Sequence, residues 1–403
     1  MTRPSRFAGS RLATALLGAS SLLLVILILT YPDHALQASL GGLRLWWTVL
    51  LPGLLPYLVF VEIIAGMGLI RALGALVEPA LRRWFRLPSG GGPAVVAGFL
   101  GGFPYGAQAV RKHLQGAEGT AIVPPSARLL AMSHMANPAL IVTVVGAGML
   151  QQARMGFFLA LIHYVSLFLT AWITGVVTRR SRQEDEPPLA ATARFHGALQ
   201  QARQEDSRRF GQLLGDAVTS SIQTLFVLSG VLILFSVVAR LGSLLLSTGS
   251  GGSLFLALPA LLEPHLGSYA AAVRLEPSLL QLAIIGAALA WGGISQHLQL
   301  KAVAGLSSPW YSTFLSHRLL QVLLAAALTV LLGKPLSAWL GAGEALSFLP
   351  AFAAEGAPNI AVSQMSLWGH AISSLRLSLA VAGTGIGLLC LLALLTRRNP
   401  SQP

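Results

Sequence analysis

The chain has 403 residues, of which 10% are charged, where an ordinary soluble domain carries about a quarter. With 54% hydrophobic residues and a mean hydropathy of +0.69, a typical soluble fold is excluded and the composition is that of an all-α polytopic membrane protein. The net charge of +13 reads as membrane orientation rather than nucleic-acid binding, because cytoplasmic loops collect Lys and Arg. The single cysteine, Cys390, excludes an intramolecular disulfide and a multi-cysteine metal site, so no cofactor is expected.

Arg3, Arg6 and Arg11 precede an uncharged run, Leu12–Pro32, that is too long for a signal-peptide core and reads as a retained first span. Seven more runs are long enough to cross the hydrocarbon: Leu45–Ile70, Leu129–Leu150, Gly156–Thr178, Ala217–Ala239, Leu319–Gly333, Leu336–Ala354 and Leu377–Thr396. This makes about eight transmembrane helices. Two further apolar stretches, Pro93–Val110 and Leu279–Leu300, carry glycine or proline at their centres. Interrupted backbone is tolerated at membrane depth only when enclosed by protein or facing water, so both are read as re-entrant hairpins. With the N-terminus cytoplasmic and both hairpins returning to their side of origin, 18 of the 27 basic residues fall on the cytoplasmic face. They include Arg71, Arg82, Arg83, Arg86, Arg111, Lys112, seven arginines between Arg179 and Asp216, and Arg397 and Arg398. Both termini are then cytoplasmic.

The polar stretch from Thr178 to Ala217 divides the chain. On each side of it the order is a long span, a short or broken stretch, a hairpin and two spans, entered from opposite faces. This is an inverted-topology repeat of the kind common in secondary transporters. The divisions are residues 1–40 (an extra span), 41–178 (first repeat), 179–216 (cytoplasmic connector with an amphipathic helix), 217–354 (second repeat) and 355–403 (an extra span and tail). The best internal match sets Phe103–Gln108 against Trp291–Gln296.

The few polar or backbone-permissive residues inside the apolar runs are the candidate substrate site. In the first half they are Gly101, Gly102, Phe103, Pro104, Tyr105, Gly106 and Gln108 at the hairpin tip, then Arg128, Ser133 and Asn137 before Pro138. In the second half they are Trp291, Gly292, Gly293, Ser295, Gln296 and Lys301. Glycines let backbone approach a ligand, and half-helix ends aim unpaired N–H groups into a midplane cavity; close helix packing is the plain alternative. Asn137 serves either a substrate or a structural hydrogen bond. Arg128, Lys301 and Arg318 are candidates to neutralise an anion. Glu62 and His297 are candidate coupling groups, with an arginine-paired membrane-edge acid and a structural histidine as their alternatives. No phosphate-loop, H-E-x-x-H or G-x-S-x-G motif occurs, and Gly383-Thr-Gly-Ile-Gly387 lies inside a span, so an enzyme is not expected.

At these residues the sequence resembles a known family, the sporulation integral membrane protein YlbJ, also called SpoVV, of endospore-forming Firmicutes. The matching stretches are Leu45–Pro56, Glu78–Pro88, Gly98–Gln108, Arg128–Pro138, Phe210–Ala217 and Trp291–Gln299, distributed from Leu43 to Pro335. The family is similar to the nucleoside-recognition, or Gate, superfamily, whose distant relatives include nucleoside transporters and the membrane part of ferrous-iron transporters. The resemblance implies a transporter in the outer forespore membrane that moves dipicolinic acid toward the spore. Phe103-Pro-Tyr-Gly departs from the commoner Tyr-Pro-x-Gly, and Trp291-Gly-Gly from Trp-Ser-Gly, which removes a hydroxyl from each tip. Phe103, Tyr105 and Trp291 would wall the pyridine ring, with Arg128 and Lys301 supplying charge. A nucleoside or purine carrier and a non-transporting structural membrane protein of the spore are the other readings. Membrane lipid and a small anion are the expected partners, nucleic acid is not, and homo-oligomerisation is left open.

Overall fold

A computed structural model describes residues 11–116, 124–177, 191–206, 208–246, 251–304 and 308–339. All regular structure among them is helical. Five helices are long and apolar enough to cross a membrane: Pro32–Gly66, Ala153–Val177, Phe210–Leu246, Leu279–Val303 and Tyr311–Gly333. The expected span Leu377–Thr396, and Leu336–Ala354 beyond Trp339, lie outside the described residues.

Helix α1 (Arg11–Thr30) is the expected first span, and many of its large side chains are exposed, as befits a lipid-facing helix. The next helix starts earlier than hydropathy suggests. Pro32 sits at its first position with Asp33 in the first turn, both favourable at a helix N-terminus. Helix α2 (Pro32–Leu45), a π-helical turn (Trp46–Leu50) and α3 (Leu51–Gly66) follow as one rod. The polar residues of α2 are accommodated by α10 (Phe210–Leu246), whose Arg240 guanidinium lies 3.2 Å from His34 Nδ1. Trp46 Nε1 ties the same two helices by donating to the Leu225 carbonyl at 2.8 Å. Gly68, at φ 80°, turns the chain into the amphipathic α4 (Leu69–Phe85).

The first hairpin is present. Helix α5 (Gly92–Gly101) and α6 (Phe103–Gly116) pack against each other and reverse at Gly102. Its base is fixed by Glu78 of α4, whose carboxylate accepts from Gly90 N at 2.7 Å and Gly92 N at 2.6 Å. A Cβ on Gly106 would come 3.0 Å from Gly98 Cα and 2.0 Å from the Ser133 carbonyl oxygen, so these glycines permit the hairpin to close on the following helix. That helix is interrupted: α7 (Pro124–Ser133) stops, residues 134–137 are non-helical, and the stretch Leu140–Met149 resumes with π-helical geometry. Helix α8 (Ala153–Val177) returns, and α9 (Ala191–Glu205), the expected amphipathic connector helix, packs on α4.

The second hairpin is not where the glycines place it. Helices α13 (Leu279–Trp291) and α14 (Gly293–Ala304) run on as one interrupted span. The reversal instead joins α11 (Gly251–Leu262) to α12 (Pro264–Arg274) at Glu263. A Cβ on Gly267 would meet Ala260 Cα at 2.3 Å, so the two arms touch across the turn. Gly292 and Gly293 thus break a helix without reversing it, and the second reversal lies at Leu262-Glu263-Pro264 rather than at Trp291–Gln296. Helix α15 (Ser308–Trp339) completes the bundle, packing on α13 and α8.

Gly106→Ala is expected to destabilise the protein by about 1–3 kcal/mol or more, because the Ser133 backbone cannot move aside like a flexible side chain. Gly215→Ala on α10, where a Cβ meets nothing within 4 Å, should instead leave stability unchanged or raise it by up to about 1 kcal/mol. Thermal unfolding of the two purified variants in the same detergent checks the order.

Candidate functional site

Proline at 138 has no N–H to continue a helix, and side chains satisfy the backbone of the interruption. Ala136 N donates to His163 Nε2 at 3.3 Å, Tyr164 Oη donates to the Ala136 carbonyl at 2.9 Å, and Leu140 N donates to Asn137 Oδ1 at 2.7 Å. Asn137 then spends its amide on the first hairpin, Nδ2 donating to the Gly101 carbonyl at 3.2 Å. Gly102 adopts φ 89°, and a Cβ there would stand 2.9 Å from Asn137 Nδ2. The hairpin tip is therefore latched to the helix break by one buried amide. Phe103, buried beside it, faces His134 with ring centroids 5.0 Å apart.

Gly292 and Gly293 both have left-handed backbone, at φ 80° and 69°. A Cβ on Gly292 would lie 3.8 Å from Phe103 Cε1, and one on Gly293 would lie 2.8 Å from Glu263 Cα and from the Leu262 carbonyl oxygen. The two hairpin tips thus meet the same pair of glycines from opposite sides. Trp291 Nε1 donates to the Leu261 carbonyl at 2.9 Å. His297 Nε2 stands 3.0 Å from the Trp291 carbonyl and Nδ1 3.0 Å from Tyr311 Oη, with its ring 4.3 Å from that of Trp291.

Between the breaks lies Arg318 of α15, 1% exposed. One terminal nitrogen donates to the Ala131 carbonyl near the end of α7, and the other to the Ala290 carbonyl near the end of α13 at 3.4 Å. Helix C-termini carry partial negative charge and free carbonyls, and a planar guanidinium can reach two at once. Its Nε has no hydrogen-bond partner. The His134 ring, 2% exposed, has the Phe103 backbone as a polar neighbour and no nitrogen with a partner at full hydrogen-bond geometry. Phe314 packs against both, its ring 5.4 Å from that of His134 and 5.3 Å from the guanidinium carbon. The arrangement offers a delocalised cation and an imidazole among aromatic faces.

Of the residues expected here, Gly101, Gly102, Phe103, Asn137, Trp291, Gly292 and Gly293 come together around the two breaks. Pro104 follows in the first turn of α6. Gly106 and Ser133 form the packing contact of the hairpin, and Ser133 Oγ donates to the Leu130 carbonyl at 3.2 Å. Ser295 and Gln296 are buried on α14, Ser295 Oγ without a partner. Four residues are elsewhere. Tyr105, expected to wall the ring, instead donates its hydroxyl to Glu62. Arg128 donates to the carbonyls of Phe85, Arg86 and Ala171 and so closes the ends of α4 and α8. Lys301 is exposed, its ammonium 3.8 Å above the Tyr311 ring. Gln108 is exposed on α6. Of the three candidate cations, Arg318 is the one that lies between the breaks. His134, Phe314 and Tyr311 complete the centre. The Ser-His-x-x-Asn-Pro pattern signals His134, whereas Phe314 and Tyr311 carry no sequence mark inside an ordinary apolar helix.

Glu62 belongs to a separate place. Its Oε1 accepts from Tyr105 Oη at 2.6 Å and Ser220 Oγ at 2.7 Å, so hydroxyls rather than an arginine accompany it. Glu62 and Ser220 line a cavity of about 600 Å³ that extends past Arg71 and Lys112 to the connector residues Glu205 and Arg208. The rim is made of exposed ion pairs. Arg71 bonds Glu205 at 2.5 Å, and Arg208 bonds Asp206 at 2.6 Å and Asp216 at 2.8 Å. Hydrogen bonding to Arg208 holds the Asp206 carboxyl down at about 2, and the bond to Arg71 lowers that of Glu205. Among the described residues no group of His, Cys, Asp and Glu could hold a metal ion.

Over 351 residues the chain is 33% identical to the sporulation integral membrane protein YlbJ of Bacillus subtilis (strain 168), a match that spans 82% of this chain and 85% of that protein. The chain belongs to the YlbJ family of sporulation integral membrane proteins. No protein-family model and no solved structure matches it. In this YlbJ-family member, the interior site is assembled from two hairpin tips, two interrupted helices and the guanidinium between them.

Replacing Arg318 by Gln leaves two buried helix-end carbonyls without their charged donor, and each such bond is worth about 1.5–3 kcal/mol. Lys301→Ala removes only an exposed cation–π contact, worth about 0.5–1 kcal/mol. Thermal or denaturant unfolding should therefore rank Arg318→Gln well below Lys301→Ala; equal stability would show that the guanidinium does not tie the helices.

Proposed function

We propose that this YlbJ-family protein is a transporter that carries a small aromatic carboxylate, dipicolinic acid first, across a membrane of the sporulating cell. The observation that supports this reading is the buried Arg318 and His134, both packed on Phe314, with the Arg318 Nε unpartnered and Phe103 against the His134 ring, where both helix breaks converge. A planar dianion needs cationic or N–H donors in its plane and apolar faces above and below, and these residues supply both kinds of contact. Interrupted helices tolerate loss of backbone pairing where they line a substrate pathway. In this reading Asn137, Arg318 and His134 hold the substrate region, the aromatic rings flank the pyridine, and the cavity beneath α9 is the mouth on the connector side. The repeat pairs α5–α6 with α11–α12, and α7 and its continuation with α13–α14. The basic clusters before α10 favour a cytoplasmic N-terminus, whereas a crossing by α13–α14 removes the premise for a cytoplasmic C-terminus; the site of action is the outer forespore membrane, as the family resemblance implies.

Proteoliposomes holding the purified protein should take up labelled dipicolinate, and excess unlabelled dipicolinate should block uptake while nucleosides do not. Asn137→Ala, which unlatches the first tip, should slow uptake by about tenfold or more, the effect of losing about 1.4 kcal/mol of preorganisation. Absence of dipicolinate movement, or competition by nucleosides instead, would contradict the assignment.

A further inference from the structure

The tip of the second hairpin carries an acid–base pair that the substrate site does not use. Glu263 and His265 are 0% and 3% exposed, and Glu263 Oε1 is hydrogen-bonded to His265 Nδ1. Glu263 Oε2 accepts from Leu266 N at 2.8 Å, capping α12. The corresponding turn of the first hairpin, Gly102-Phe103-Pro104, has no titratable group. Burying an ionised carboxylate costs several kcal/mol unless it is compensated. The other ionisable groups on the elements packed against this hairpin are few. Tyr269 and Arg274 lie on α12 itself, Asp216 and Arg240 on α10, and His297 and Lys301 on α14, while α11, α13 and the stretch Leu140–Met149 carry none. Arg240 stands beside His34, His297 is held by Tyr311 and Trp291, and Lys301 lies over Tyr311. In the structure, the hydrogen-bonded partners of the Glu263 carboxylate are the imidazole and the helix N-terminus.

We propose that Glu263 and His265 form a proton-binding site that couples transport to proton movement. The proposal rests on the transport reading above for what the proton accompanies, but the site itself is independent of it. With one proton on the imidazole, at Nδ1 toward the carboxylate, the pair carries a charge of −1. Taking up one proton from water gives either carboxylate with imidazolium or carboxylic acid with neutral imidazole, and the pair is neutral. No bond other than O–H or N–H forms or breaks. Glu263 Cα lies against Gly293 in the break that also meets Phe103, so the charge of the pair is felt where the hairpin docks. The −1 state repels an incoming anion, and the neutral state admits it. Proton and anion then favour each other's binding, a reciprocal linkage.

The full-length protein in proteoliposomes provides the test, with a pH dye inside the vesicles. Dipicolinate imposed outside should acidify the lumen as it enters, and an inward proton gradient should drive accumulation. Glu263→Gln keeps the cap on Leu266 N but cannot take the proton. It should retain dipicolinate counterflow while gradient-driven accumulation falls about tenfold, within the usual range of coupling energies. His265→Gln serves as the second variant and should shift the pH dependence of uptake. Infrared difference spectra across a pH titration, recorded without dipicolinate, should show a protonated-carboxyl band that Glu263→Gln removes and Glu62→Gln leaves in place. A Glu263→Gln protein that co-transports protons as the native one does, or spectra with no band that it removes, would overturn the proposal. If the native protein moves no dipicolinate, the transport reading falls, and the infrared titration still decides whether the pair binds a proton.

Discussion

Two helices stop in the interior of the bundle, and each leaves carbonyl groups that no following residue can pair. Arg318 takes one from each, Ala131 on α7 and Ala290 on α13, and the rest of the interior is arranged around that double contact. A buried guanidinium is costly unless its donors are used. Here the negative ends of two half-helices are its counter-charge. The helices that are interrupted are thereby the ones held in register, and α15, which carries Arg318, becomes the scaffold against which both are placed.

The hairpins depend on this frame. Asn137 can latch Gly101 only because α7 ends where it does, and Gly292 and Gly293 can receive Phe103 and Glu263 only because α13 ends opposite. The approach of the Glu263 backbone leaves no room for a Cβ on Gly293, which is a contact surface as much as a hinge, while Gly292 is required by its left-handed backbone. The tips make few direct bonds to the frame. One amide holds the first, and the Trp291–Leu261 bond together with the Glu263 turn seats the second. Rigid helices with lightly latched tips are the structural condition for alternating exposure of an interior site, the motion that the proposed transport requires.

Much of this was legible in the residues because lipid imposes hard rules. Apolar length located four of the five candidate spans among the described residues, missing Leu279–Val303, and Gly98–Gln108 announced a hairpin through its density of glycine and proline. The polar residues Ser133 to Asn137 before Pro138 marked a candidate site, although Leu129–Leu150, expected as one span, is interrupted there; the family resemblance anticipated the match to YlbJ of Bacillus subtilis. The misplaced second hairpin shows the limit. Glycines at 292 and 293 report that a helix is interrupted, but whether the chain then reverses is decided by what packs beside it. The real turn, at Glu263-Pro264, sits between two segments of 12 and 11 residues, each too short to register as a span. The three candidate cations show a related limit. Arg128, Lys301 and Arg318 look alike in sequence, and only tertiary placement shows that the first caps helix ends, the second is exposed and the third lies at the centre.

The central claim is that the space between the two helix breaks receives an aromatic dicarboxylate. A cryo-electron microscopy map of the full-length protein in lipid nanodiscs with saturating dipicolinate tests it most directly. The account predicts planar density beside Arg318 and His134, flanked by Phe103, Trp291 and Phe314, with both hairpin tips closed on Gly292 and Gly293. A map in which those side chains pack directly on one another with dipicolinate bound elsewhere, or in which α13 and α14 fold back on themselves, would contradict it.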